Sequence, residues 1–209
     1  VHNTVLRDFW NLLSLFTDAT TFSVDPNQAM YRPILLVSYV ANYALFGEGA
    51  GSFHIFNVIL HAVNAVLVFV LMLQLGISNW GSRSVSLVFA IHPLTTETVY
   101  YVSSRSESLM ALGVLSSLIS YLIWSSHKRN WWYLISLAGG TFAVLSKSVG
   151  VVFLPLIFLV EVYRSGLNVA SVKFKYFAGY MLIVAIYLFQ IWASISIAVG
   201  QPVRSLTTQ

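Results

Sequence analysis

The chain has 209 residues, of which 57% are hydrophobic and only 9% are charged. Soluble domains carry about 25% charged residues, so this composition excludes an ordinary water-soluble domain. The absence of cysteine excludes disulfides and thiolate metal ligands, and the net charge of +4, without a basic block interleaved with aromatics, indicates membrane topology rather than nucleic-acid binding.

The first part of the chain is mixed in polarity. Residues 1–31 predict an extracytoplasmic loop with a short amphipathic helix near residues 6–16. The start at Val1, in polar sequence, is what we expect of a piece of a longer protein. Tyr31-Arg32-Pro33 then opens an apolar run over residues 34–46, which is short for a membrane span of about 20 residues. A re-entrant helix and a full crossing therefore both fit this run.

The next stretch alternates long and short apolar runs. Residues 52–75 are long enough to cross a membrane, and residues 78–83 predict a turn. Residues 84–91 form a partial span that ends at His92-Pro93. Residues 95–108 are polar and predict a surface helix capped by Thr95 or Thr96.

Four further apolar runs follow. Residues 109–124, 134–145, 151–162 and 177–199 predict membrane helices, with a kink at Pro155 in the third. We therefore expect an all-α polytopic bundle of about five to seven membrane segments. In domain terms, residues 1–31 form the outer loop, 32–199 the transmembrane domain and 200–209 an extracytoplasmic tail.

If successive helices cross the bilayer in alternating directions, the basic and acidic residues fall mostly on opposite sides. One side receives basic residues with a single acid, Glu161, and the other side receives the remaining acids. Because cytoplasmic loops are enriched in Lys and Arg, the polar side is expected to face outward, from a bacterial inner membrane or the endoplasmic reticulum. The basic residues on the predicted cytoplasmic side are Arg83, Lys128, Arg129, Arg164, Lys173 and Lys175.

Three polar residues share one face of the 52–75 helix. His54, Asn57 and His61 are spaced i, i+3 and i+7. Two histidines two turns apart do not reach one metal ion without help, so hydrogen bonding between helices is the favoured interpretation. His54, near the outer end, is the better functional candidate of the two histidines.

Several charged residues on the outer side have two interpretations each. Glu97 lies in a first helical turn, where a carboxylate stabilises the helix N-terminus. Arg105 and Glu107 either form a local ion pair or serve as ordinary anchors at the membrane interface, or Arg105 meets an anionic headgroup or phosphate. Lys147 and Arg32 either bind a phosphate or extend their ammonium and guanidinium groups to the interface. Residue types and spacing leave these alternatives open.

Three stretches carry a resemblance to a known family. They resemble the membrane domain of the transmembrane O-mannosyltransferases that carry tetratricopeptide repeats, and of their bacterial relatives, over about residues 31–155. The stretches are Tyr31-Arg32-Pro33 with Asn42–Gly47 and Phe53–His61, then Phe89–Pro93 with Thr96–Val99 and Arg105–Leu109, and finally Leu145–Gly150.

The resemblance implies a GT-C glycosyltransferase that moves a sugar from a polyprenyl-phosphate donor to an acceptor on the extracytoplasmic side. We expect no cofactor and no metal ligands among the site residues, and whether a divalent metal takes part stays open. An outer-loop Asp would act as general base. The implied donor-phosphate ligands are Arg32, Arg105 and Lys147, and the implied sugar and acceptor pocket is formed by His54, His92, Glu97 and Glu107.

The sequence departs from that family at two points. The adjacent acidic pair that supplies the family's catalytic carboxylates is not present in these 209 residues, and Ser148 stands where relatives have Glu. The catalytic residues therefore stay unassigned, and the alternative function is a non-catalytic subunit of a larger membrane complex. The expected partners are membrane lipids, the polyprenyl-phosphate-linked sugar and other membrane subunits, with no nucleic acid.

Overall fold

The computed structural model describes residues 31–47, 49–169 and 174–200, with the side chains of Ala50, Lys175 and residues 193–200 left aside. Within these ranges all regular structure is helical, which confirms the all-α prediction. The α-helices are α1 (Pro33–Phe46), α2 (Ala50–Gln74), α3 (Asn79–Ile91), α4 (Pro93–Tyr100), α5 (Arg105–His127), α6 (Asn130–Ser146), α7 (Phe153–Arg164) and α8 (Ala178–Gly200). Single 3₁₀ turns span Val102–Ser104, Ser148–Val152 and Phe174–Phe177.

Most of the predicted apolar runs are helices in the structure. The runs at 34–46, 52–75, 109–124, 134–145 and 177–199 correspond to α1, α2, α5, α6 and α8. The amphipathic helix predicted near residues 6–16 lies outside the described residues.

The predicted turn at 78–83 is wrong. Ser78 instead caps α3, because its hydroxyl accepts a hydrogen bond from the backbone N–H of Gly81 at 3.2 Å. A serine in this position satisfies one of the free N–H groups at a helix start. The helix therefore begins at Asn79, several residues before the apolar run that marked it in the sequence.

The single surface helix predicted over 95–108, with Thr95 or Thr96 as its cap, is also wrong. His92 is the cap of α4: its Nδ1 accepts from the backbone N–H of Leu94 at 3.2 Å, and Pro93 occupies the first helical position. Proline suits that position because its missing N–H would be unpaired there anyway. The helix ends at Tyr100, and Arg105 begins the next long helix.

Pro155 does not kink a helix as predicted. It is the third residue of α7, which begins at Phe153. The first N–H groups of a helix have no partner within the helix, so proline costs no hydrogen bond there. The change of direction after α6 is made by the 3₁₀ turn Ser148–Val152 instead.

Helices α5 and α6 form an antiparallel hairpin at the centre of the bundle. A Cβ placed on Gly113 would lie 2.7 Å from the backbone N of Ala143, so the two backbones are in direct contact there. One turn further along, Ser117 and Ser136 each donate from Oγ to the other's carbonyl oxygen, at 2.8 and 2.7 Å. Small residues with reciprocal hydroxyl bonds are typical of helix contacts in membranes.

Helix α8 closes one side of this hairpin. The hydroxyl of Tyr180, which is fully buried, lies 2.7 Å from Oγ of Ser136. Tyr133 donates to the carbonyl oxygen of Tyr176 at 2.9 Å. The central core therefore combines aliphatic residues with tyrosines, and the hydroxyls of Tyr133 and Tyr180 are bonded to neighbouring segments.

The outward surfaces are strongly apolar. Among the described residues, two helical stretches are long and apolar enough to cross a membrane, Gly51–Gln74 and Val102–His127. Pro33–Phe46 and Ala178–Trp192 are apolar but shorter. The total of five to seven crossings and the outward orientation stay predictions.

Candidate functional site

Four helix ends meet on one side of the bundle: the starts of α2 and α5 and the ends of α3 and α6. Contacts from Arg105 to α2, from His61 to the end of α3 and from Lys147 to Glu107 join them. Most of the polar residues picked out in the sequence lie at this end. We call it the polar end, comprising His54, Asn57, His92, Glu97, Arg105, Glu107 and Lys147.

Arg105 is the most deeply buried of these residues, with a relative exposure of 0%. It is the first residue of α5, so its side chain reaches back between α1 and α2. Nε donates to Oδ1 of Asn57 at 2.9 Å, and Nη2 donates to Oδ1 of Asn42 at 3.0 Å. Nη2 also donates to the carbonyl oxygen of Phe53 at 3.1 Å, and Nη1 to that of Ser38 at 3.3 Å.

Aromatic rings enclose the same guanidinium. Its Cζ lies 4.8, 5.2 and 4.5 Å from the ring centroids of Tyr39, Phe53 and Phe56, which is within range of a cation–π interaction. No carboxylate among the described residues pairs with Arg105. The buried charge is therefore stabilised by neutral amide and carbonyl oxygens and by ring faces, which compensate for lost hydration only while all are in place.

The asparagines that accept from Arg105 are themselves fixed. Nδ2 of Asn42 donates to Oγ of Ser52 at 3.1 Å, which ties the end of α1 to the start of α2. Nδ2 of Asn57 points at the carbonyl oxygens of Thr98 and Tyr101, both at 3.5 Å. Through these bonds Arg105 holds α1, α2, α4 and α5 in one arrangement.

Two residues after Arg105 in the chain, Glu107 forms an ion pair with Lys147. Nζ of Lys147 is 2.7 Å from Oε1 of Glu107, and the side chains of the two residues are 23% and 46% exposed. Glu107 belongs to the first turn of α5 and Lys147 caps the end of α6. The local Arg105–Glu107 pair considered in the sequence does not form, because Arg105 points into the protein and Glu107 points to Lys147.

The remaining predicted site residues are more exposed. His54, His92 and Glu97 are exposed at the polar end, and His92 also caps α4. Arg32 is half-buried and precedes α1. The structure thus pairs Glu107 with Lys147, whereas Arg105 contacts α1 and α2 instead. Roles as substrate ligands stay predictions for all of the predicted site residues.

The interhelical interpretation of the α2 face is confirmed for Asn57 and His61. Nε2 of His61 donates to the carbonyl oxygen of Ala90 at 3.0 Å, and its ring stacks on Phe89 with centroids 5.5 Å apart. Within the described ranges no group of three or more His, Asp or Glu side chains is placed to hold a metal ion.

The sequence did not reveal the acceptors of Arg105. Ser38 and Asn42 are four residues apart in an apolar run, so they share one helix face, and that was the available signal. Two apolar depressions, of about 420 and 350 Å³, lie elsewhere: the first is between α2 and α3 near Arg83, the second near Tyr163. None of the predicted site residues lines either one.

The comparisons with known proteins point to a single group. No family model and no solved structure matches the chain. It is 34% identical over 115 residues to the human Protein O-mannosyl-transferase TMTC3, a match of 55% of this chain and 12% of that protein. It is 30% identical over 163 residues to human TMTC2, covering 75% and 18%, and 28% identical over 171 residues to human TMTC4, covering 72% and 22%.

These matches confirm the resemblance found in the sequence: the chain is a homologue of the TMTC protein O-mannosyl-transferases. The chain spans between about an eighth and about a fifth of the length of these curated relatives, since it covers 12 to 22% of them.

Proposed function

We propose that this chain, a homologue of protein O-mannosyl-transferases, forms part of the membrane domain of a GT-C-type glycosyltransferase. The enzyme transfers a sugar, mannose by analogy with the names of its relatives, from a polyprenyl-phosphate donor to an acceptor hydroxyl on the extracytoplasmic side of a membrane. The observation that carries the proposal is the Glu107–Lys147 pair at the polar end, two residues after buried Arg105, in stretches whose sequence resembles that family.

Lys147 is the proposed ligand of the donor phosphate. Its ammonium is partly shielded, since the side chain is 23% exposed, and it lies directly after the end of α6. A lysine ammonium binds phosphate as a point charge, and partial burial strengthens that attraction. The same charge stabilises the polyprenyl phosphate as it leaves the sugar.

Arg105, which the resemblance implied as a ligand of the donor phosphate, is assigned a positioning role in this proposal instead. Its donated bonds go to Asn57, Asn42 and two carbonyl oxygens of the protein, and none of its surface is exposed. It acts on the site by fixing the start of α5, and with it Glu107, which is two residues further along.

The exposed residues of the polar end complete the proposed pocket. His54, His92, Glu97 and Glu107 supply hydrogen-bonding groups for the sugar and the acceptor, and Arg32 supplies a second cation for the phosphate. His92 accepts a hydrogen bond from the backbone N–H of Leu94, which fixes the direction of its ring at the polar end.

The proposed membrane arrangement follows from the opposite end of the bundle. Lys128 lies in the turn between α5 and α6, with Nζ 4.7 Å from the ring centroid of Trp124, and Arg164 ends α7. Tyr163 donates to the carbonyl oxygen of Leu75 at 3.2 Å, so the ends of α7 and α2 lie together. Basic residues at this end support a cytoplasmic placement and a polar end that faces outward, with five to seven crossings.

Substitution of Lys147 in the full-length protein tests the proposal. Transfer of labelled mannose from a polyprenyl-phosphate donor to an acceptor peptide is measured for the wild type, Lys147→Met and Lys128→Met. We expect Lys147→Met to lower the rate by about 10²- to 10³-fold, the usual effect of losing one transition-state contact. Lys128→Met, which removes the same charge from the opposite end, is expected to keep the wild-type rate.

A wild-type rate for Lys147→Met would overturn the assignment. Absence of any transfer by the wild-type protein would favour the alternative of a non-catalytic membrane subunit.

A further inference from the structure

We propose that Glu107 is a specificity-determining residue that weakens the binding of doubly charged phosphate monoesters relative to singly charged phosphate diesters at Lys147. The inference rests on the proposed function, since it needs Lys147 to bind a lipid phosphate. It goes further because it assigns the Glu107 carboxylate a role in discriminating between ligands of different charge.

The geometry places the Glu107 carboxylate directly beside the Lys147 ammonium. Oε1 of Glu107 lies 2.7 Å from Nζ of Lys147, so any phosphate that contacts this ammonium comes within about 6 Å of the carboxylate, twice an ordinary hydrogen-bond length. Lys147 and Glu107 together carry no net charge. An incoming phosphate therefore meets an attraction and a repulsion that both grow with its own charge.

The carboxylate is held near the lysine by the fold. Glu107 is in the first turn of α5, and that turn begins at Arg105, which is fully buried and bonded to α1 and α2. The helix start also favours an acidic side chain. Glu107 can rotate to make room for a ligand, because its side chain is 46% exposed, but its backbone stays fixed.

Coulomb's law gives the size and the sign of the effect. A phosphate monoester carries close to two negative charges at neutral pH, and a diester carries one. A second charge about 6 Å from a carboxylate is disfavoured by about 3- to 100-fold between dielectric constants of 80 and 20. Lys147 alone would favour the monoester, and Glu107 opposes that preference.

This discrimination suits the proposed reaction. A polyprenyl-phosphate sugar is a diester, and the polyprenyl phosphate that remains after transfer is a monoester. Glu107 therefore lowers the affinity of the site for the polyprenyl phosphate product more than it lowers the affinity for the sugar donor.

The test measures two dissociation constants for each variant. The full chain is placed in nanodiscs of phosphatidylcholine, and geranyl phosphate and geranyl methyl phosphate serve as the monoester and diester probes. We expect Glu107→Gln to increase the affinity for the monoester about tenfold more than that for the diester, within the Coulomb range above. An unchanged ratio of the two constants would overturn the inference.

Two control variants guard against indirect effects. Glu161→Gln removes the same charge at the far end of α7, where a glutamine can still accept from Tyr121, and is expected to leave the ratio unchanged. Glu107→Asp keeps the charge and is expected to keep the wild-type preference. A shift of the ratio by Glu161→Gln as large as that by Glu107→Gln would mean that total charge, rather than Glu107, sets the preference.

Lys147→Met separates this inference from the proposed function. If Lys147→Met binds both probes as the wild type does, Lys147 is not the phosphate ligand and both proposals fail. If Lys147→Met weakens both probes while Glu107→Gln leaves their ratio unchanged, only the inference fails. Nanodiscs with added phosphatidylglycerol identify the source of the phosphate: displacement of the probes at equal concentration would overturn the isoprenyl assignment in favour of an ordinary lipid headgroup.

Discussion

Arg105 donates through Nε to Oδ1 of Asn57, a residue 48 positions earlier in the chain, at 2.9 Å and without exposure to solvent. Neither residue carries a compensating negative charge. The bond therefore belongs to a set of neutral acceptors and aromatic rings that must act together, and it links the starts of α5 and α2 on the side of the bundle where Lys147 lies.

Loss of this guanidinium should destabilise the fold. Arg105→Met leaves the buried amide oxygens of Asn42 and Asn57 without donors, at a cost of about 1–3 kcal/mol for each such group. Arg105→Lys should not restore stability, because an ammonium lacks the planar fork that reaches several acceptors. The midpoint of thermal unfolding in detergent measures this effect. The control Arg83→Met, at an exposed position, is expected to keep a midpoint near that of the wild type. Equal midpoints for Arg105→Lys and the wild type would contradict the prediction.

Close contact between α5 and α6 makes Gly113 intolerant of a side chain. An added Cβ would meet the backbone of Ala143 at 2.7 Å, so Gly113→Ala should force the helices apart and destabilise by about 1–3 kcal/mol. Gly51 provides the matched control, since a Cβ there meets nothing within 4 Å. Unfolding midpoints in the same detergent measure both variants, and equal effects of the two would argue against the close approach.

The hydroxyl of Ser136 bonds to two helices at once. Ser136→Ala removes its bonds to the carbonyl oxygen of Ser117 and to the hydroxyl of Tyr180. Hydrogen bonds between membrane helices contribute about 0.6 kcal/mol on average and up to about 1.7 kcal/mol. Ser117 and Ser136 bond reciprocally, so the double variant Ser117→Ala/Ser136→Ala should lose less stability than the two single variants together. A double-mutant cycle of unfolding free energies measures this difference.

His92 should be replaceable by another cap. His92→Ala removes the acceptor of the Leu94 N–H and should cost about 1 kcal/mol, whereas His92→Asn should restore most of it because asparagine is a favoured cap. Hydrogen exchange of the α4 amides reports the effect locally. Equal protection in all three proteins would show that the side chain does not cap α4.

The positions of the helices could be predicted from the sequence more accurately than the residues at which they begin and end. Apolar runs such as 52–75 and 109–124 predicted helices because burial or lipid contact requires a long apolar segment. The helix starts depend on single capping atoms. The hydroxyl of Ser78 caps α3 before the apolar run begins, and Nδ1 of His92 caps α4 in place of the predicted caps Thr95 and Thr96. Histidine is a rarer cap than threonine, so composition favoured the wrong residue.

The site shows the same division. The position of Arg105, Glu107 and Lys147 at one end of the bundle agrees with the one-sided charge pattern, but the pairing of Glu107 with Lys147 does not follow from spacing. Arg105 and Glu107 are two residues apart and so point in different directions on a helix. Only the packing of α6 against α5 decides that Glu107 meets Lys147, which lies 40 positions further along.

The order of residues in the Arg105 cluster bears on how the protein is made. Its acceptors at Ser38, Asn42, Phe53 and Asn57 precede it by 48 to 67 positions. Synthesis proceeds from the N-terminus, so every acceptor has left the ribosome before the charged side chain does. The acceptors are therefore already available when the helix that begins at Arg105 is inserted, and the charged side chain need not lie in the lipid without hydrogen-bond partners.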